Sequence, residues 1–122
     1  MVIFDTNMIL RYLLNDNEEM AGHAEKLLNE KDAAVTVEVI AEVVYVLKGV
    51  YELGRAEIAE TVRDFLDLIF CSERDTLETA LDAYARTTLD FVDCVLYGYH
   101  AVKGAEIATF DRKLLRLLSE DK

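Results

Sequence analysis

Five acidic residues sit where carboxylates can act together. Asp5 closes the apolar run Val2-Ile3-Phe4, and Asp111 follows Ile107-Ala108-Thr109-Phe110. Each run reads as a buried strand giving way to a helix, which puts both aspartates on the same edge of a parallel sheet. In open parallel sheets, ligands collect outside that edge. Glu42 falls early in a helix after the strand-like Ala33–Val37. Asp90 and Asp93 stand three apart, so a helix places them on one side near its start.

Taken singly, each acid has a plain structural role. Asp5, Asp90 and Asp111 suit helix N-caps, where a carboxylate accepts from free backbone N–H groups. Glu38 and Glu42, four apart, suit a solvated helix face. The neighbours Ile40, Ala41, Val43, Val44 and Val46 mark Glu42 as the acid with a near-buried flank, and Glu38 as the solvent residue. Together they ask for something else. Carboxylates gathered at one sheet edge repel each other, and unpaired charge away from water is costly. Such an oxygen-rich site suits Mg²⁺ or Mn²⁺. These ions activate water and clamp the oxygens of a phosphodiester displacement, with paired metals roughly 3.5–4 Å apart. No rival catalyst stands out: His23 and His100 are the only histidines and read as structural or surface residues. There is no phosphate-cradling glycine loop and no nucleophile-elbow serine.

The elements that must position these acids follow from periodicity and turn chemistry. A helix is expected from Thr6 to about Leu14, ended by Asn15-Asp16-Asn17. A second carries Met20, Ala24, Leu27 and Leu28 at helical spacing. Ala33–Val37 reads as a short strand, then Glu38–Lys48 as a helix striped by Val39, Val43, Val46 and Leu47. Past Gly54-Arg55, a helix aligns Ile58, Val62, Phe65, Leu66 and Ile69, with a strand at Leu68–Cys71 overlapping its end. Arg74–Arg86 is helical by period. Asp90 caps a helix to Val102, Glu106–Phe110 reads as a strand, and Asp111 opens a last helix with Leu114, Leu115, Leu117 and Leu118. Strands separated by long helices imply parallel pairing with right-handed crossovers. The expected fold is a helix-rich α/β/α three-layer sandwich around a central parallel sheet, one domain over residues 1–122.

Composition narrows the class. An apolar fraction of 52% excludes a disordered chain. No apolar run approaches the roughly 20 residues of a membrane span, and no signal-peptide pattern opens the chain, so a cytoplasmic protein is expected. Cys71 and Cys94 have neither disulfide-framework nor zinc-ligand spacing and read as small core residues. The net charge of −11, from 24 acids against 13 bases, disfavours non-specific binding to nucleic acid. Bound cations would offset part of it. Arg11, Lys48, Arg112 and Lys113 lie near the proposed edge; a solvated surface is their first reading, and holding a phosphate backbone the functional one beside it.

Four segments, VIFDTN at the start, AEVVYVL around Glu42, LDFVDCVL around Asp93 and IATFDRKL near the end, carry a resemblance over almost the whole chain. In this order and at these distances, the chain resembles the PIN-domain ribonucleases, most closely the small VapC-type toxins of prokaryotic toxin–antitoxin pairs. The resemblance implies that Asp5, Glu42, Asp93 and Asp111 form an acidic site for Mg²⁺ or Mn²⁺. Thr6, Asn7 and Thr109 would support it by hydrogen bonding or through metal-bound water, with Asp90 an auxiliary acid or a helix cap. The implied chemistry is hydrolysis of an RNA phosphodiester by metal-activated water, leaving a 5′-phosphate without a covalent intermediate. A homodimer and a small antitoxin covering the active site are implied partners. Two places depart from the pattern: Cys94 stands where a small Ala is usual, and Gly98-Tyr99 fall in a stretch that is often alanine-rich.

Rival readings each lack a residue. A haloacid-dehalogenase-type phosphatase needs a second Asp where this chain has Asn7. A response-regulator receiver needs an early acidic pair and a phosphoacceptor Asp after a central strand, and neither is found. A PIN-like scaffold used only for protein binding would be favoured by the loss of one of the four acids, and all four are present. A PIN-type RNA-processing nuclease that is not a toxin shares every feature named so far.

Overall fold

The structure is a computed structural model that describes residues 1–120. It is a helix-rich α/β fold with a parallel sheet. In chain order the elements are β1 (Val2–Ile3), α1 (Thr6–Leu14), α2 (Glu18–Glu30), β2 (Ala33–Ala34) and α3 (Val37–Gly49). There follow α4 (Arg55–Leu66), α5 (Arg74–Arg86), α6 (Phe91–Lys103) and α7 (Arg112–Ser119).

Local chemistry sets most helix ends. The Asp5 carboxylate accepts from the Met8 N–H at 2.9 Å and starts α1, which ends on Asn15 in the left-handed region at φ 49°. Asn17 starts α2 by accepting from the Met20 N–H at 3.0 Å. Gly104, at φ 69°, closes α6, a conformation that glycine enters without the steric penalty of a Cβ. Inward faces then build one core. Phe4, Ile9, Ile40, Leu47, Ile58, Leu66, Leu77, Leu81 and Leu114 are almost fully shielded, each burial contributing roughly 1.5–3 kcal/mol. Cys71 and Cys94 lie in this core as free thiols. Burial pushes the Cys94 thiol up to about 11, so it stays protonated and acts as a small apolar filler.

The sheet is parallel, as expected, but narrower than a full central layer. β1 and β2 pair with Val2 opposite Ala33 and Ile3 opposite Ala34. The expected strand Ala33–Val37 stops early because Thr36 caps α3, its hydroxyl accepting from the Val39 N–H at 3.3 Å, and Val37 is already helical. The expected strand Leu68–Cys71 contracts to one parallel bridge between Ala34 and Phe70, with Phe70 N–H donating to Ala33 and Val35 N–H donating to Phe70. Glu106–Phe110 forms no ladder among the described residues. Its side chains alternate strand-fashion, Ile107 and Thr109 half-buried and Glu106, Ala108 and Phe110 exposed. Side-chain alternation is a local property; a ladder also needs a neighbouring strand in bonding register. A three-layer sandwich therefore goes beyond the two strands seen.

Helix packing brings the acids' supports together. α3 packs on α1, α4 and α6, and α6 packs on α5 and α7. The helices bearing Glu42 and Asp93 are thus direct neighbours, while Asp5 and Asp111 stand at the starts of α1 and α7.

Candidate active site

Asp5, Thr6, Asn7, Glu38, Val39 and Glu42 line one open pocket of about 410 Å³. The start of α1 supplies the first three and the first turns of α3 the rest. Two carboxylates implied for the site, Asp5 and Glu42, are therefore brought to a single pocket, with Thr6 and Asn7 on its wall. Glu42 is exposed, contrary to the near-buried flank expected from its apolar neighbours, because the buried ones, Ile40, Val43 and Val44, turn away from it into the core. Glu38 shares the pocket. Its spacing of four from Glu42 was the available signal, since residues one helical turn apart face the same way.

Asp93, Asp111 and Asp90 form the second group. Asp93 is half-buried in the first turn of α6. Its carboxyl is held above the ordinary carboxylate range, chiefly by burial and then by the charges of Asp111 and Asp90. Asp111 caps α7, its Oδ1 accepting from the Leu114 N–H at 2.8 Å. The Asp111 N–H in turn donates to the Thr109 hydroxyl at 3.0 Å, so Thr109 fixes the loop that presents this acid. Asp90 occupies the N-cap position of α6, yet its side chain makes no capping hydrogen bond; only its carbonyl engages the helix, accepting from the Cys94 N–H. Of the two roles weighed for Asp90, side-chain capping is the one the geometry removes.

The basic residues divide. Arg11 donates to both Asp16 oxygens at 2.9 Å and to the Tyr51 hydroxyl at 3.2 Å, which ties it to structure. Lys48 and Arg112 are exposed, and Lys113 reaches the Thr88 hydroxyl at 3.4 Å. His100 has a ring nitrogen 2.9 Å from the Ala105 carbonyl oxygen, a structural contact, and His23 is exposed.

The PIN domain family model matches residues 2–118. The chain belongs to the PIN domain family. No curated protein and no solved structure matches it. PIN domains are generally nucleases, and PIN nucleases generally use divalent metals. The donor chemistry here fits such an ion: every acid of both groups is a hard oxygen donor, and Asp93 is half-buried where Asp111 and Asp90 also bear on it. Among the described residues, no three such side chains are yet drawn together at metal-binding distance. The fit is one of donor chemistry, with the acids in two groups.

Proposed function

We propose that this PIN domain is a metal-dependent ribonuclease that hydrolyses RNA phosphodiester bonds, acting as the toxin of a VapC-type toxin–antitoxin pair. The observation that carries it is Asp93, half-buried against the charges of Asp90 and Asp111 in a chain of a nuclease family. Ionised carboxylates facing one another have little to gain from the fold alone, and much from a bound cation.

In this reading Asp5, Glu42, Asp93 and Asp111 hold Mg²⁺ or Mn²⁺, and the fold is one domain with its helices layered about the parallel sheet. An ion held there supplies a water of lowered pKa and charge stabilisation on the phosphodiester oxygens. The chain's own residues do the positioning. The α1 cap fixes the Asp5 carboxylate through the Met8 N–H, and the α7 cap fixes Asp111 through the Leu114 N–H. Thr109 steadies Asp111 from behind. Thr6 and Asn7 offer hydroxyl and amide groups to water at the Asp5 side, and Asp90, free of capping, adds negative charge beside Asp93.

The partners proposed are RNA, a second copy of the chain, and a small antitoxin. A cavity of about 320 Å³ between α1 and α2 supports the antitoxin reading. It is lined by Asp5, Asn7, Met8, Arg11, Glu19, Met20 and His23. It joins apolar methionines to the first acid of the site, a setting for an apolar helix that offers one basic side chain to Asp5. Among the described residues no helix is long and apolar enough to cross a membrane.

The test is cleavage of a panel of cellular RNAs with added Mg²⁺ or Mn²⁺, run beside Asp5→Asn and Asp93→Asn. Cleavage that needs the metal and fails in both variants is the expected result. Cleavage that survives chelation and both substitutions would sink the assignment.

A further inference from the structure

A cavity of about 390 Å³ opens between α3 and the start of α6, lined by Tyr45, Lys48, Val92, Phe91 and Asp90 among others. That volume lies in the range of small-ligand pockets, about 300–1,000 Å³. Its walls are unusual for a surface so acidic. Tyr45 is 77% exposed and Val92 60% exposed, leaving an aromatic ring and an aliphatic side chain open to solvent at its mouth. Its inner wall is fixed: Arg55 lies 3.8 Å above the Tyr84 ring and donates to the carbonyls of Tyr84 and Leu89.

The cavity shares both of its helices with the acids. Tyr45 follows Glu42 by three residues, about 4.5 Å along the axis of α3, and Lys48 lies one further step of the same size beyond. Val92 directly precedes Asp93, and Asp90, which lines the cavity, also bears on the Asp93 carboxyl. A strand with a phosphodiester at the acids would carry its neighbouring nucleotide into this space. An exposed tyrosine offers that nucleotide a stacking face, and Lys48 offers its phosphate a cation.

We propose that this cavity is a nucleobase subsite, in which Tyr45 stacks on an unpaired base flanking the cleaved bond and Lys48 meets the adjoining phosphate. The proposal rests on the ribonuclease reading and adds to it the place where one base of the strand is held. Stacking of this kind strengthens binding about 5- to 150-fold per base and tolerates any base, since every base has a π-face. The concave shape and the lysine at its edge favour a single ring over a second copy of the chain. A stable self-interface needs a complementary surface of about 800 Å² per partner, more than the walls of this cavity present.

The test measures binding of the full chain to a labelled single-stranded RNA oligonucleotide in chelator, where no metal-dependent cleavage intervenes. Tyr45→Leu is expected to weaken binding about five-fold or more, with Tyr45→Phe restoring it. Removing single bases from the oligonucleotide should reveal one position whose loss matters for wild type and no longer matters for Tyr45→Leu. Duplex RNA should bind alike to both proteins. Equal single-strand affinity for wild type and Tyr45→Leu would overturn the subsite, as would no binding by either. So would a Tyr45→Leu effect confined to self-association in sedimentation. Cleavage with Mn²⁺ separates the two ideas. Asp5-dependent cleavage with Tyr45-indifferent binding sinks the subsite alone, and Tyr45-dependent binding without any cleavage sinks the nuclease reading and with it the subsite's place beside a cleaved bond.

Discussion

Gly98 of α6 and Thr76 of α5 approach so closely that a Cβ on Gly98 would lie 2.6 Å from the Thr76 carbonyl oxygen. Gly98→Ala thus sets two effects against each other. Alanine favours the helix by about 1 kcal/mol over glycine. The clash is with backbone rather than with a flexible side chain, so α5 and α6 must part, and such overpacking costs typically about 1–3 kcal/mol. The clash should win, and urea unfolding should show a lower midpoint for Gly98→Ala at unchanged m. A midpoint equal to or above wild type would mean that the two helices slide apart freely.

Asp5 separates capping from chemistry. Asn accepts a hydrogen bond at an N-cap about as well as Asp, whereas Ala removes the acceptor at a cost of about 1 kcal/mol. Asp5→Asn should therefore keep the stability of the fold, and Asp5→Ala should lower it by about that amount in chemical denaturation. Both should lose RNA cleavage alike. Groups that merely orient metal ligands are worth about 10–100-fold, so losing a ligand should exceed that. Near-wild-type cleavage by Asp5→Asn would reduce Asp5 to a cap.

For Asp93 the sign follows from a folded-state pKa that is raised, by burial first and then by Asp111 and Asp90. Well below the ordinary carboxylate range both folded and unfolded chains hold the proton, and no penalty exists. Above the raised folded value, the ionised group costs stability in full. In chelator at neutral pH, Asp93→Asn should therefore melt higher than wild type, and the gain should fade as pH falls through the carboxylate range. Divalent metal should reverse the order by stabilising wild type alone. Thermal melts across pH, with and without Mg²⁺, check both signs; a variant that melts lower in chelator at neutral pH would show that Asp93 is held by favourable bonds instead.

Helix ends were readable from sequence where the deciding chemistry is local. The expected α1 and α5 spans, Thr6–Leu14 and Arg74–Arg86, match the structure because the deciding signals are local: the flanking caps Asp5 and Asn15 for α1, and the apolar periodicity of the segment itself for α5. Strand extents were not readable in the same way. Glu106–Phe110 has the alternation of a strand, and Val37 has the β-branching of one, but pairing depends on a distant neighbour and the Thr36 cap overrode Val37. The caps Asp5 and Asp111, at the ends of the first and last apolar runs, could be found from position alone. Asp90 could not be sorted, since cap position and side-chain capping look identical in a sequence. Gly98 reads as a bare departure from an alanine-rich stretch until the Thr76 carbonyl is seen against it.

The central claim is that Asp5, Glu42, Asp93 and Asp111 hold a divalent ion. Crystals soaked to saturation in Mn²⁺ and measured at the manganese edge test it most directly. The account predicts an anomalous peak touched by the carboxylates of Asp5 and Asp93, and its loss in Asp93→Asn. A peak absent from this edge at saturating metal, or one that persists unchanged in Asp93→Asn, would contradict it.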